Sequence, residues 1–188
     1  MKKDEIRRKI RARKALLSAM EKTQAAARVF EKLEQSAAFA VADRILMYHS
    51  LPDELSTREF IDRWSSRKQF FLPRVNGMKL EVLPYHRSRL AQGAFLIEEP
   101  QGDEIVPADS VELIVVPAVA YDRNGNRVGR GKGYYDRLLA ETRALKVGVG
   151  YDFQLVDEID AEPHDIPVDV VITESYRIVV KHLSPNRV

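Results

Sequence analysis

The sequence predicts an α/β protein of three layers, α/β/α, in which helices cover both faces of a largely parallel central sheet. Short runs of β-branched and other apolar residues recur along the 188-residue chain, and such runs are typical of strands buried on both faces. Segments with helical periodicity separate several of these runs, and this alternation favours parallel strands joined by helices. The length fits one domain, which we expect to span residues 1–188.

The helices are predicted from apolar spacing and from capping boxes. Ile6, Ile10 and Leu17 lie on one side of a helical wheel, which indicates an amphipathic helix over residues 3–17. Serine followed three residues later by glutamate, a capping box, predicts two more helices. These boxes are Ser18 with Glu21, opening a helix to about residue 35, and Ser56 with Glu59, opening a helix to about residue 67.

The strands are predicted from apolar runs. In sheets of parallel strands, ligands collect beyond the carboxyl ends of the strands. We therefore expect the segments that follow three of these strands, at residues 49–54, 121–139 and 173–174, to lie along one edge of the sheet. The predicted strands occupy residues 44–49, 69–72, 79–83, 112–117, 146–150 and 169–173.

Composition excludes several kinds of site. The chain has no cysteine, which excludes disulfides, zinc–thiolate centres and thiol catalysis. No apolar run approaches the roughly 20 residues needed to cross a bilayer, and the N-terminus lacks an apolar signal core. We expect a cytoplasmic monomer with no membrane partner.

Positive charge is concentrated at the N-terminus. The net charge is +2, yet residues 2–14 carry eight basic and two acidic side chains, a local charge of +6. Such a segment is suited to a polyanionic ligand, to nucleic acid, or simply to solvent. No recognised RNA- or DNA-binding module accompanies it, so we expect no specific binding of nucleic acid.

Residues 121–139 are the most informative segment, because they hold four of the nine glycines and several basic side chains. Glycine lets the backbone approach a ligand closely, and several N–H groups can then point at one anion. A helix is predicted to begin at Tyr134, and helix N-termini favour anions. The segment predicts a phosphate-binding loop between a strand and a helix, with a flexible basic surface loop as the alternative.

The loop differs from the common nucleotide-binding motifs. A Walker loop requires serine or threonine after its Gly-Lys pair, and here Gly133 follows Lys132. The dinucleotide fingerprint and the kinase loop both require glycine where this chain has Tyr134.

Residues 115–139 resemble the signature of the 5-formyltetrahydrofolate cyclo-ligase family, Gly-x-Arg-Leu-Gly-x-Gly-x-Gly-Tyr-Tyr-Asp after a strand and a proline. The resemblance extends, in the family's order, to Lys3 and Arg7, to Glu54, and to the C-terminal Ile-Thr-Glu at residues 172–174. The chain departs from the family at residues 55–56, where Leu-Ser replaces the frequent Val-Asp, and at residue 128, where valine replaces leucine.

The resemblance implies an ATP- and Mg²⁺-dependent reaction that converts 5-formyltetrahydrofolate to 5,10-methenyltetrahydrofolate, ADP and phosphate. It implies that Arg130 and Lys132 are catalytic, and that Asp136 and Asp169 hold the metal. It assigns substrate contacts to Glu54, Tyr134 and one of two neighbours, His49 or Ser50. The implied ATP-binding residues are Lys3, Arg7, Arg127, Val128, Gly129, Arg130, Gly131, Lys132, Gly133, Tyr134 and Tyr135.

Each role has a structural alternative. Lys132 could form a salt bridge, Asp136 could be an acid favoured by the helix dipole, and Asp169 could be a charge at a strand edge. Glu54 could be an ordinary loop acid, and Tyr135 could belong to the core. Alternative functions are a nucleic-acid-binding protein, a family member with altered folate activity, and a sugar-phosphate isomerase, since α/β folds host many chemistries.

Overall fold

The computed structural model describes residues 2–93 and 98–181, and in this part of the chain it contains five α-helices and eleven strands. The helices are α1 (Lys3–Lys14), α2 (Ala19–Glu34), α3 (Ala37–Val41), α4 (Arg58–Trp64) and α5 (Tyr134–Leu139). The strands are β1 (Arg44–Leu46), β2 (Gln69–Asn76), β3 (Lys79–Pro84), β4 (Leu90–Gln92), β5 (Glu98–Pro100), β6 (Leu113–Val116), β7 (Ala120–Tyr121), β8 (Arg127–Val128), β9 (Leu145–Val149), β10 (Val170–Ile172) and β11 (Arg177–Val179).

A seven-stranded sheet with the order β11-β10-β9-β6-β1-β2-β3 forms the centre of the molecule. The strands from β10 to β2 pair in parallel, whereas β11 and β3 add antiparallel edges. The predicted largely parallel sheet is therefore confirmed. Two small antiparallel pairs, β4 with β5 and β7 with β8, lie outside it.

Side chains alternate between two apolar layers on the two faces of the sheet. Ile45 packs with Phe30 of α2 and Phe60 of α4, whereas its neighbour Leu46 packs with Leu138 of α5 on the other face. Successive strand residues point to opposite faces, so strands buried on both sides need an apolar run. Helices α2 and α4 therefore cover one face of the sheet and α5 covers the other, in agreement with the predicted three layers.

The two capping boxes behave differently. Ser18 and Glu21 form theirs: Oγ of Ser18 accepts a 3.1 Å hydrogen bond from N of Glu21, and N of Ser18 donates to Oε2 of Glu21 at 2.7 Å. The box at Ser56 and Glu59 was wrong, because α4 is preceded by Thr57 and has no side-chain cap.

The first helix, α1, packs against the β7–β8 pair rather than extending into solvent. Ile6 and Ile10 are buried with Ala120, Val128 and Ile159 in a separate apolar cluster. The helix ends at Lys14 instead of the predicted residue 17, and a loop leads to α2. This packing places the basic segment beside the glycine-rich loop. No helix in the described part of the chain is both long and apolar enough to cross a membrane.

Candidate active site

A cleft of about 960 Å³ opens beyond the carboxyl ends of β1 and β6, the edge that the sequence predicted. One side of α1, the turn after β1, the β2–β3 hairpin, the glycine-rich loop and the segment 160–165 line it. Thirteen of the sequence-predicted residues lie in this lining: Lys3, Arg7, His49, Glu54, Arg127, Gly129, Arg130, Gly131, Lys132, Gly133, Tyr134, Tyr135 and Asp136.

The glycine-rich loop depends on backbone conformations that other residues adopt with strain. Gly131 has φ +102° and Gly133 has φ +68°, both in the region that favours glycine. Gly133 also precedes the first residue of α5. The carbonyl oxygen of Gly129 accepts a 2.9 Å hydrogen bond from Nε of Arg7, which fastens α1 to the loop.

The N-terminal cations are held by the body of the protein. Nζ of Lys3 lies 2.9 Å from Oε2 of Glu162 and 2.6 Å from Oδ2 of Asp165. Burial opposes the charge on Lys3, but the hydrogen bonds to Asp165 and Glu162 outweigh it and raise the pKa of this lysine. Nη1 of Arg7 pairs with Asp4 at 2.6 Å. These contacts turn Lys3 and Arg7 towards the cleft rather than towards an external partner.

Arg127 and Asp136 form a largely buried ion pair at the base of the loop. Nη2 of Arg127 donates to Oδ1 of Asp136 at 2.9 Å, and the two side chains are 4% and 20% exposed. The same oxygen accepts from N of Ile166 at 3.1 Å. Nε of Arg127 is buried and has no hydrogen-bond partner among the described residues. The Arg127 guanidinium also lies over the Tyr135 ring, 5.8 Å from its centroid.

Three of the predicted site residues, Asp169, Val128 and Ser50, are not part of the cleft lining. Asp169 precedes β10, at the amino end of a parallel strand, and its Oδ2 accepts a 2.9 Å hydrogen bond from N of Lys146. A metal shared by Asp169 and Asp136 stays a prediction. Val128 is fully buried under α1, so its side chain cannot reach a ligand in the cleft.

Ser50 is the third of these residues, and it lines a smaller pocket that shares Leu51 and Glu54 with the cleft. Its Oγ accepts a 3.1 Å hydrogen bond from N of Thr57, and its own N donates to Oγ1 of Thr57 at 3.3 Å. Ser50 therefore holds the turn closed. His49 faces the cleft instead.

His49 is mostly buried, with a side chain 8% exposed. Its Nδ1 lies 2.9 Å from Oε2 of Glu98, but without hydrogen-bond geometry. Burial, followed by the nearby charge of Arg58, lowers the pKa of His49. The imidazole therefore favours its neutral form at neutral pH.

Glu54 follows the turn after β1 and lines the cleft beside Arg130 of the glycine-rich loop. Its Oε1 accepts a 2.9 Å hydrogen bond from N of Leu51, and its Oε2 lies 4.0 Å from Nη2 of Arg130. Burial raises the pKa of Glu54, although the Leu51 hydrogen bond and the Arg130 charge oppose that shift. Arg130 itself donates to both oxygens of Asp53, at 2.9 and 3.0 Å.

Two adjacent tyrosines form part of the wall. Tyr134 donates from its hydroxyl to the carbonyl oxygen of Gly77 at 3.3 Å, which ties α5 to the β2–β3 hairpin. Burial raises the pKa of Tyr135 far above its usual value, so this phenol stays neutral. Tyr135 packs against an apolar layer of the sheet and also faces the cleft, so the core and site interpretations both apply.

A cation could find carboxylate ligands at two places along the cleft. Mg²⁺ prefers one or two carboxylates together with phosphate oxygens, and Asp136 offers such a group beside the loop. Glu162, His164 and Asp165 form a second cluster with ligand atoms within 4.8 Å of one another. The Lys3 ammonium pairs with both acids of that cluster. Asp136 is also paired, but its contacts with Arg127 and Ile166 both use Oδ1, so Oδ2 of Asp136 is the better candidate for the metal.

Some cleft residues were not identified from the sequence. Lys14, at the end of α1, was noted only for its charge, and Glu162 was not singled out. Lys14 follows Arg7 by seven residues, two helical turns, and this spacing could have placed both on one side of the helix. No comparable local pattern marks Glu162.

Comparison with known proteins agrees with this geometry. The model of the 5-formyltetrahydrofolate cyclo-ligase family matches residues 1–174. The chain is 33% identical to the 5-formyltetrahydrofolate cyclo-ligase of Escherichia coli K12 over 145 residues, 72% of this chain and 80% of that protein. It is 30% identical to the Haemophilus influenzae enzyme of the same name over 182 residues, 91% of this chain and 97% of that one.

The fold has a matching solved relative. The NMR structure of 5,10-methenyltetrahydrofolate synthetase from Aquifex aeolicus superposes with a TM-score of 0.87 at 34% identity, covering 99% of this chain and 95% of that one. The family match over most of the chain, the two bacterial enzymes and this structure agree with one another. The chain is an enzyme that belongs to the 5-formyltetrahydrofolate cyclo-ligase family.

Proposed function

We propose that this enzyme uses ATP and Mg²⁺ to cyclise 5-formyltetrahydrofolate to 5,10-methenyltetrahydrofolate, releasing ADP and phosphate. The observation that carries the proposal is a single cleft in which a cationic glycine-rich loop lies next to a largely buried carboxyl, Glu54. A phosphate donor and a second substrate could thus lie next to each other. Because one chain lines the cleft, a monomer formed by one domain suffices for activity.

The formyl group needs activation because its oxygen is a poor leaving group. In the first step the γ-phosphorus bonds to the formyl oxygen while its bond to the β,γ-bridging oxygen breaks, and ADP leaves. N10 then attacks the formyl carbon, and the C–O bond breaks to release phosphate. Loss of the N10 proton completes the 5,10-methenyl bridge, and no oxidation or reduction occurs.

The protein's contribution to such a transfer is mainly positioning and charge stabilisation. Lys132 and Arg130 lie on the loop where they can neutralise the transferring phosphoryl group. Lys3 and Arg7 reach the same cleft from α1 and supply charge for the remaining phosphates. Asp136 would hold Mg²⁺, which when bound shields the negative charge of the phosphate oxygens.

The folate side of the cleft contains Glu54, His49 and Tyr134. Burial favours the protonated form of Glu54, whose pKa is raised, and a carboxyl in this form can both donate and accept hydrogen bonds. That property suits the mixed donors and acceptors of a pterin ring. The aromatic ring of Tyr134 can pack against the ligand while its hydroxyl remains bonded to Gly77.

A nucleic-acid-binding role receives no such support. Lys3 and Arg7 are paired with acids of their own chain, and α1 is packed on an apolar cluster rather than presented as a free arm.

The test is turnover by the purified protein with 5-formyltetrahydrofolate, ATP and Mg²⁺, followed by the near-ultraviolet absorbance of the methenyl product. We expect product only when all three are present, together with one ADP for each product molecule. A folded protein that gives no product under these conditions, or gives product without ATP, would refute the proposal. The second result would favour an isomerase.

A further inference from the structure

Lys14, the last residue of α1, is a buried cation in the cleft. Its relative exposure is 9%, and it lines the cavity. Among the described residues, its Nζ is not one of the fully buried polar atoms that lack a hydrogen-bond partner. A lysine can bury its apolar stem while its ammonium stays accessible, and because Lys14 lines the cleft, an anionic ligand there could reach this charge.

Lys14 continues the row of cations on α1. Lys3, Arg7 and Lys14 are spaced by four and seven residues, so all three lie on one side of the helix, and all three line the cleft. At about 1.5 Å per residue, Lys14 lies roughly 10 Å along the axis beyond Arg7. Arg7 contacts the loop at Gly129, so Lys14 lies further along the cleft, towards Glu54.

The charges that act on Lys14 come from the phosphate loop and from the folate side of the cleft. Burial lowers the pKa of Lys14, and the charges that act on it most strongly are Asp53, Arg130 and Glu54. Arg130 already binds both oxygens of Asp53, and burial favours the protonated form of Glu54. Both acids favour the charged form of Lys14, whereas Arg130 opposes it, and burial outweighs the two acids in lowering its pKa.

We propose that Nζ of Lys14 binds the terminal phosphoryl group of ATP and accompanies it to the formyl oxygen. This inference rests on the function proposed above. The group that moves between the phosphate loop and the folate carries negative charge throughout, and Lys14 lines the same cleft as Arg130 of that loop and Glu54. In the transfer, the bond from phosphorus to the bridging oxygen of ADP breaks and the bond to the formyl oxygen forms. Lys14 stays protonated and takes no part in bond exchange.

The first test measures nucleotide binding without folate, by calorimetry in the presence of Mg²⁺. Lys14→Met keeps the length of the apolar stem and removes the charge. We expect its Kd for ATP to rise about tenfold or more, since hydrogen bonds to charged groups contribute about 1.5–3 kcal/mol, while its Kd for ADP stays unchanged. Lys9→Met is the matched control, because Lys9 is exposed and paired with Glu5 on the same helix.

The second test measures steady-state turnover. Lys14→Met is expected to lower kcat about 100-fold, the usual effect of removing one group that stabilises developing charge, with the KM for folate unchanged. Lys14→Arg, which restores the charge, should recover part of the loss. Thermal melting should show Lys14→Met to be at least as stable as the wild type, because the variant buries no charge.

Three results would overturn the inference. Equal weakening of ATP and ADP would indicate a general electrostatic effect, and the same loss in Lys9→Met would do so too. Weaker folate binding with normal ATP binding would indicate that Lys14 holds a folate carboxylate. If the wild type gave no turnover, the proposed function would fail, yet the comparison of ATP with ADP would still decide whether Lys14 binds the terminal phosphate.

Discussion

The Asp136→Asn substitution separates a metal-binding role from a structural one. Asparagine keeps the shape of the side chain and an oxygen that can accept from Ile166, whose N lies 3.1 Å from Oδ1. The substitution removes the negative charge beside Arg127, a guanidinium in a side chain that is 4% exposed. We therefore expect the substitution to lower the stability of the fold.

The burial of this ion pair determines how much unfolding free energy the substitution should cost. Breaking a buried ion pair costs about 3–5 kcal/mol, because the remaining charge stays buried without its partner. The Asp136 side chain is 20% exposed to the cleft, so water can reach the site in the variant and reduce the cost. We expect a loss of about 2–3 kcal/mol in unfolding free energy. For a chain of this length that corresponds to roughly 4–12 °C in Tm.

Denaturant unfolding and calorimetric melting of Asp136→Asn measure this loss. The control is the double variant Arg127→Met/Asp136→Asn, which removes both charges and so restores much of the stability. Activity should not return in the double variant if the Asp136 charge holds Mg²⁺, and neither variant should recover at high Mg²⁺ concentration. A single variant as stable as the wild type would refute the structural reasoning. Normal turnover at limiting Mg²⁺ would refute the metal role.

Two further predictions concern the loop and the folate end of the cleft. Gly131→Ala should cost about 1–2 kcal/mol of stability through its φ of +102° and raise the KM for ATP several-fold, whereas Gly102→Ala, with φ +112° and open space around it, should cost similar stability without affecting KM. Glu54→Gln should weaken folate binding yet stabilise the protein at neutral pH. Burial raises the pKa of Glu54, so the stability contributed by its protonated form is present below the unfolded pKa of about 4.3 and is lost as pH rises through the folded pKa. Melting curves at pH 4 and pH 7.5 should therefore differ between variant and wild type only at the higher pH, and equal Tm values at pH 7.5 would contradict this.

The sheet and the glycine-rich loop could be predicted because their signals are local. Strands buried on both faces require apolar runs, and the runs at 112–117 and 146–150 correspond to β6 and β9 with small shifts at their ends. The positive φ values of Gly131 and Gly133 explain why glycine occurs at alternate positions. Neither inference needs knowledge of what packs against the segment.

The sequence predicted local structure less well where contacts between distant parts of the chain determine it. The Ser56 capping box was wrong because the hydroxyl of Thr57 donates to the carbonyl oxygen of Tyr48 at 2.7 Å, and α4 begins one residue later than the pattern implied. Asp169 precedes the parallel strand β10 and so lies at its amino end, outside the cleft lining, and its role as a metal ligand beside Asp136 stays a prediction. The direction of the predicted strand already implied that Asp169 lies at its amino end.

The N-terminal helix gives the clearest example of a role that charge patterning does not determine. A segment with a charge of +6 could equally face solvent, bind nucleic acid or bind a nucleotide. Only the packing of Ile6 and Ile10 on Ala120 and Val128 turns its cations towards the cleft. The same packing means that removing residues 1–8 would uncover part of an apolar cluster as well as delete Lys3 and Arg7. Loss of ATP binding in such a truncation would therefore not isolate the cations, whereas single substitutions on the polar side of α1 would.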